Sequence, residues 1–297
     1  MTEISIIIVN YNTTDEISNC IRSLLKYCKK ESFEIIIVDN NSIDRSYNKF
    51  KHLDDRIQII NNTNNIGFGR ANNIGAKHAK GEFLFFLNPD TIFIEDSLSK
   101  LIKFYKDNEN KLSLGIIGTQ LVSKNMKINN SGGDFPKCFK EIEIHCKRLL
   151  KKHKEINYQK KYNDSENFIK IDYVSGADMF IKKNKFWEVK GFNKNFFMFF
   201  EETDLQYRLN KKFGYKSYII RSTKIIHLED GSTKKIQKCS HWKRMIFKDS
   251  KVKYLKYNDS IAFPIYYLFL IFFGIVSLVN RKYTIKENIE FYKIGLF

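Results

Sequence analysis

Asn88 and Asp90 stand two positions apart in FLFFLNPDT, residues 83–91, where an apolar run stops at a proline turn. Two oxygen donors at that spacing can share a hard cation and a diphosphate, and oxygen ligation suits Mg²⁺ or Mn²⁺. An Asn-Pro-Asp turn that only ends a strand looks the same. His227, in IIHLEDGS, also follows an apolar run. Beside carboxylates a neutral imidazole would favour Mn²⁺ as a further ligand, although a lone His is more often structural. Asp39 closes the run EIIIV in VDNNS, with Asn41 two residues on. Its carboxylate can accept the imide N–H of uracil or thymine, and it can equally form a turn or a helix cap.

Two further stretches carry candidate chemistry. NNIGFGRANNIG, residues 64–75, holds Asn65, Gly67 and Asn72. Its glycines permit close backbone approach or positive φ, and a helix starting behind them favours phosphate. Asn72 stands where GxGxxG would place its third glycine, so this is not the dinucleotide fingerprint. A loop leading into a helix is the plain alternative. Glu201, Glu202 and Asp204 crowd together in FFMFFEETDLQYRL, residues 196–209. Acids at a helix N-terminus are favoured by the macrodipole. Behind an aromatic wall they also fit a sugar site, where a carboxylate against apolar surface has a raised pKa suited to a general base.

These residues need a frame. Apolar runs at 5–9, 34–38, 57–60, 83–87 and 114–117 predict buried strands. Thr13 and Glu16 have capping-box spacing ahead of Ile17, Cys20, Ile21, Leu24, Leu25 and Cys28, which recur as a helix face. Helices are also expected from about 69 to 80 and from 201 to 212. Strand character resumes over 169–182, around Gly176. Short apolar strands alternating with helices imply a parallel sheet covered on both faces. Ligands then bind beyond the carboxyl ends of the strands, so Asp39, Asn65 and Asp90 should share one rim. The Lys-rich stretch 136–168 reads as a helical insertion or flexible excursion.

The chain has 297 residues, 43% of them hydrophobic, and a net charge of +18. That fits one large domain or a domain with an appendage, and is too apolar for disorder. The charge points to an anionic partner: nucleic acid, an anionic membrane or a phosphorylated substrate. A lysine excess alongside frequent Asn, Ile and Phe is also what AT-rich coding would produce, which lowers the weight of the charge. Five cysteines without a CxxC pair read as free thiols in a reducing compartment. The start, MTEISIIIVNYN, lacks a secretory signal pattern. Ser260 to Asn280 carries no charged residue, long enough to cross a bilayer as a helix. Pro264 can instead bend it into the interface, and a buried core helix is a third option. Residues 234–256 before it hold nine Lys or Arg against Asp249 alone.

Taken in order, SIIIVNYN, VDNNS, NNIGFGRANNIG, FLFFLNPDT, VSGADMFIKK, GFNKNFFMFFEETDL and HLEDGS resemble the inverting GT-A glycosyltransferases of family 2, rhamnosyltransferase-like branch. The resemblance covers roughly residues 3 to 232. It implies an α/β fold, a GT-A (Rossmann-like) nucleotide-sugar-binding domain with a mostly parallel central sheet over 1–233; the charge and apolar pattern adds a basic and apolar helical, membrane-associating extension over 234–297. The resemblance implies that Asp39 reads the pyrimidine of the donor and that Asn10 and Asn12 lie near the nucleotide. Asn41, Asn65, Gly67 and Asn72 belong to the same donor-binding set, and Gly176 and Ala177 lie beside the donor sugar. Asp90 matches the last Asp of the family's DxD motif, and Asn88 replaces the first. His227 matches the metal-binding His. Glu202 stands where the family has the Asp of its ED motif, the catalytic base, with Glu201 and Asp204 supporting. The implied cofactor is Mn²⁺ or Mg²⁺, and the implied donor is dTDP-rhamnose or a UDP-sugar.

Two other functions compete. A nucleotidyltransferase making a nucleotide-sugar needs a Gly-rich basic signature after the first strand, where this chain reads NYNTTDE. A nucleic-acid-binding protein would use the lysines of 234–256, but these lead into an apolar segment that fits a membrane surface better. The expected partners are therefore a nucleotide-sugar, a glycan or lipid-linked glycan acceptor, and an anionic membrane, with no nucleic acid. The expected location is the cytoplasmic face of a bacterial inner membrane.

Overall fold

Strand β1, Ile4–Asn10, is buried along its whole length, as its Ile-rich sequence requires of a strand covered on both faces. The structure, a computed structural model, describes residues 2–43, 49–50, 52–150, 167–228, 239–280 and 282–295. Around β1 lie β2, Phe33–Asp39, and β4, Phe83–Leu87, both parallel to it. Beyond β2 is β3, Ile57–Asn61. It forms the sheet edge and is only half-buried, not buried as its IQII run predicts.

The other half of the sheet contains β6, Leu114–Val122, β10, Asp178–Lys182, and β11, Lys216–His227. Short strands β5, Thr91–Phe93, and β8, Phe168–Ile171, pair with β11. The order is β3-β2-β1-β4-β10-β6-β11-β5, with β8 also on β11. β1, β2, β3, β4, β6 and β11 run one way and put their carboxyl ends on one rim. β10 runs against β4 and β6, so its first residue, Asp178, lies on that same rim opposite Leu87. β7, Gly132–Gly133, and β9, Tyr173–Val174, form a separate two-stranded pair.

Helices cover both faces. On one side α1, Thr14–Tyr27, and α3, Ser97–Asn108, bury Ile17, Ile21, Leu24, Leu101 and Tyr105 against the sheet. On the other, α2, Phe68–His78, α5, Lys183–Glu188, and α6, Glu201–Phe213, bury Ala71, Phe186, Leu205 and Leu209. The capping box expected at Thr13 does not form. Thr13 is the N-cap of α1 but makes no side-chain cap bond. Its hydroxyl and N–H both donate to Asn10 Oδ1, at 3.0 and 3.2 Å, because the polar end of β1 lies closer than the free end of the helix.

From the Lys-rich stretch, α4, Cys138–Leu149, is helical, and residues 151–166 lie outside the described set. So do residues 229–238, which hold the end of HLEDGS and Lys234, Lys235 and Lys238. The C-terminal region forms α7, Cys239–Asn258, α8, Phe263–Phe273, a 3₁₀ turn at Gly274–Val279, and α9, Ile285–Lys293. Here a spanning reading of Ser260 to Asn280 does not hold. Pro264 opens α8, which has 11 residues and is about 16 Å long, against the ~30 Å of a bilayer core. Among the described residues no helix is long and apolar enough to cross a membrane. One side of α8 instead packs into a third apolar cluster, with Cys138, Phe196, Phe200, Tyr254, Leu255, Ala262 and Tyr266.

Candidate active site

Strand register places three polar strand ends in a row, Asn10 beside Asp39 beside Asn61. Asn10 Nδ2 donates to Asp39 Oδ1 at 2.7 Å, and the Ser42 N–H donates to Asp39 Oδ2 at 3.0 Å. Asp39 is buried. An ionised carboxylate offers about four acceptor sites, so each oxygen retains one for a ligand. Asn12 and Asn41 adopt left-handed backbone, φ 58° and 67°, which Asn tolerates better than most residues. Asn12 ties the two loops together: its N–H donates to Ser42 Oγ and its Oδ1 accepts from the Ile43 N–H.

Asn40, between the two expected residues of VDNNS, is the hub of the rim. Its amide donates to Asn65 Oδ1 at 2.9 Å and accepts from Asn62 Nδ2 at 3.0 Å and the Ile66 N–H at 3.3 Å. It thereby fixes the glycine loop to the end of β2. The asparagine runs in both segments were the available signal, but no local pattern pairs them.

Gly67 then turns into α2 with φ +88°. A Cβ there would overlap the Phe197 carbonyl oxygen, which accepts from the Phe68 N–H at 2.8 Å. The glycine loop and the aromatic wall are thus one unit. Phe199 and Phe200 both have left-handed backbone, φ 68° and 65°, an outlier for bulky residues that costs of order 1–3 kcal/mol each. α7 holds them there. Phe247 packs on both rings, Tyr254 on Phe200, and Ser250 Oγ donates to the Met198 carbonyl at 2.8 Å.

That strained strap delivers the acids. Glu201 is buried, its side chain against Gly69, with Oε2 lacking a hydrogen-bond partner. Burial raises its carboxyl pKa well above the usual range, and the Glu202 charge raises it further. Glu202 is half-buried. Burial lifts its carboxyl too, while the backbone N–H groups of Glu202 and Thr203 at the start of α6 oppose the rise. Its side chain lies alongside Gly176. Asp204, expected to support the acids, and Asn72, expected in the donor set, both make their contacts within the fold. Asp204 is buried, accepting from Arg208 Nε at 2.7 Å and Asn258 Nδ2 at 3.1 Å. Arg208 in turn holds the Val189 and Gly191 carbonyls, so Asp204 braces α6. Asn72 is buried within α2 and donates to the Phe68 carbonyl.

At the centre of the rim the Asn88 N–H donates to the Ala177 carbonyl at 2.9 Å, joining the Asn-Pro-Asp turn to the Gly176–Ala177 loop. β5 pairs Thr91 with His227. His227 Nε2 lies 3.3 Å from Asp90 Oδ1. A carboxylate oxygen and an imidazole nitrogen this close could face one cation, the oxygen donor suiting Mn²⁺ or Mg²⁺ and the imidazole favouring Mn²⁺ of the two. Among the described residues no group of three or more His, Cys, Asp or Glu is placed to hold a metal.

Asp178 is a residue that the motif reading passed over. It is fully buried at the start of β10, and its Oδ2 accepts from the Thr119 N–H and hydroxyl at 2.7 and 2.6 Å. Oδ1 has no partner. Burial raises its pKa from 3.8 to about 7, against the Thr119 bonds and the His227 charge. Between those two values the folded chain binds more protons than the unfolded one, so this group's contribution to stability falls as pH rises. Denaturant midpoints should therefore drop from pH 4 to pH 7, and Asp178→Asn should flatten that part of the profile. An unchanged slope would remove Asp178 as its source.

The sequence signature described as "Glycosyl transferase family 2" matches residues 5–190. A poly(ribitol-phosphate) beta-glucosyltransferase of Bacillus spizizenii is 36% identical over 118 residues, 38% of this chain and 19% of that protein. The Escherichia coli UDP-Glc:alpha-D-GlcNAc-diphosphoundecaprenol beta-1,3-glucosyltransferase WfgD is 30% identical over 151 residues, 50% of this chain and 55% of that one. The chain thus spans less than two-thirds of these curated relatives. The solved structure of GalNAc-T7 with UDP, GalNAc and Mn²⁺ superposes with a TM-score of 0.62 at 13% identity, covering 99% of this chain and 54% of that one. The fold is that of GT-A glycosyltransferases, and the chain belongs to glycosyl transferase family 2.

Proposed function

We propose that the protein transfers a sugar from a pyrimidine nucleotide-sugar, dTDP-rhamnose or a UDP-sugar, to a hydroxyl of a lipid-linked glycan during cell-surface polysaccharide synthesis. The observation that carries this reading is the continuity of one rim. Glu202 lies against Gly176, the adjacent Ala177 carbonyl holds Asn88, and Asp90 faces His227. Asp39 takes the base through its free lone pairs, with Asn10 fixing its orientation. Asp90 and His227 would hold Mn²⁺ or Mg²⁺ together with the donor diphosphate. A cation there supplies positive charge to the leaving group. Glu202 accepts the proton of the acceptor hydroxyl. That oxygen attacks the anomeric carbon from the face opposite the diphosphate and inverts it. The diphosphoundecaprenol in the name of the E. coli relative supports a lipid-linked acceptor.

Donor hydrolysis and binding across UDP-, dTDP- and GDP-sugars, with Mn²⁺, Mg²⁺ or EDTA, tests this. The expected result is turnover of one pyrimidine donor that EDTA suppresses. Activity with GDP-sugars alone would remove Asp39 as the base reader, and full activity in EDTA would remove the metal role of Asp90 and His227.

A further inference from the structure

The C-terminal helices leave a broad apolar face uncovered. Ile265, Leu268 and Phe272 fall at the spacing that aligns them on one side of α8, and Ile261 lies in the turn just before it. All are exposed, from 52% at Ile265 to 95% at Ile261. The opposite side, Ala262 and Tyr266, is buried in the third cluster. The 3₁₀ turn extends the face through exposed Ile275. At its other end a shallow cleft against α4 is lined by Phe139, Ile261, Lys137 and Lys140, and by Asp259 and Glu143, which pairs with Lys140. Soluble monomers rarely leave more than a few hundred Å² of apolar surface in one patch. A helix apolar on every side belongs in a protein core or in lipid, and only one side of α8 has a core.

Charge distinguishes the possible occupants. Lys137 and Lys140 are exposed at one end of the face, and Lys282 and Lys286 at the other. A second copy of a chain with net charge +18 would bring like charges together. Anionic headgroups would meet them with the opposite sign. We propose that this face docks on an anionic lipid bilayer, with α8 lying in the interfacial plane and the lysines at headgroup level. The inner side of α8 shares its cluster with Phe200, the residue before Glu201. Docking therefore sets the height of α6 above the membrane. On the transferase reading, this presents a lipid-linked acceptor to the acids.

The test is flotation of the full chain with vesicles of phosphatidylglycerol and phosphatidylethanolamine, against pure phosphatidylcholine. Ile265→Ser, Leu268→Ser and Phe272→Ser are combined in one variant. These side chains are exposed, so thermal unfolding and donor hydrolysis should match the wild type. Expected are flotation of the wild type with anionic vesicles and binding weaker by about tenfold or more in the triple variant. A wild type that does not float, or a variant that floats equally, overturns the proposal. So does a wild-type dimer in sedimentation that the variant converts to monomer without any vesicle binding. None of these outcomes depends on transfer activity, so failure here is distinguishable from failure of the transferase reading.

Discussion

Glu202→Gln is expected to lower sugar transfer by about a hundred- to ten-thousandfold, the range a positioned general base contributes. Nucleotide binding should remain within about twofold, because the amide retains the shape of the side chain and Glu202 makes no contact with the Asp39 cradle in the roles assigned here. The change also removes one of two neighbouring acids. Burial raises both, and the Glu202 charge adds to the rise at Glu201, so the Glu201 pKa should fall toward the ordinary range in the variant. Measuring kcat and donor Kd separately checks this. Equal loss of both would mean that Glu202 supports the fold or the donor and does not act as the base.

Gly67→Ala is expected to cost about 2–4 kcal/mol of stability, two penalties at one atom. The backbone there has φ +88°, which strains any L side chain, and the new methyl would overlap the Phe197 carbonyl. That carbonyl is the acceptor for the Phe68 N–H at the first turn of α2. Relief by moving the strap would displace Phe199 and Phe200, whose backbone already stores strain. Chemical denaturation of the purified variant measures the loss. A change below about 0.5 kcal/mol would show that strap and loop move freely. Gly214→Ala is the matched comparison: its φ is +74°, yet no atom lies within contact distance of a Cβ there.

The strands at Ile6–Val9, Ile35–Val38 and Phe83–Leu87 could be read from the sequence because each is an unbroken apolar run with a polar end. The carboxyl ends of the strands carried Asp39, Asn65 and Asp90 to one rim as expected. Pairing was not readable: nothing local to Asp178–Lys182 shows that this strand enters antiparallel between β4 and β6. Strand character over 169–182 included Asp178, but only the register shows that it is the buried first residue of a strand on the rim. Asn40 escaped for the same reason, since its partners are 22 to 26 residues away. The left-handed Phe199 and Phe200 had no signal at all, because Gly and Asn normally mark such backbone. In the tail, an uncharged stretch of spanning length concealed a short helix. Its buried side is set by α4 and α7, which composition cannot reveal.

The strap held by α7 separates the protein's two tasks along its length. The family signature ends at residue 190, after the segments that hold Asp39, Gly67, Asp90 and Gly176 and before the acids. The strap and the helix α7 that restrains it, from Phe196 to Tyr254, lie in the part the signature does not reach. On the transferase reading, natural variation in the tail can retune which acceptor is served while nucleotide recognition stays as it is. A lineage could then diversify its glycans by exchanging C-terminal segments, with the cost of each exchange measured in how well the new helix restrains two strained phenylalanines.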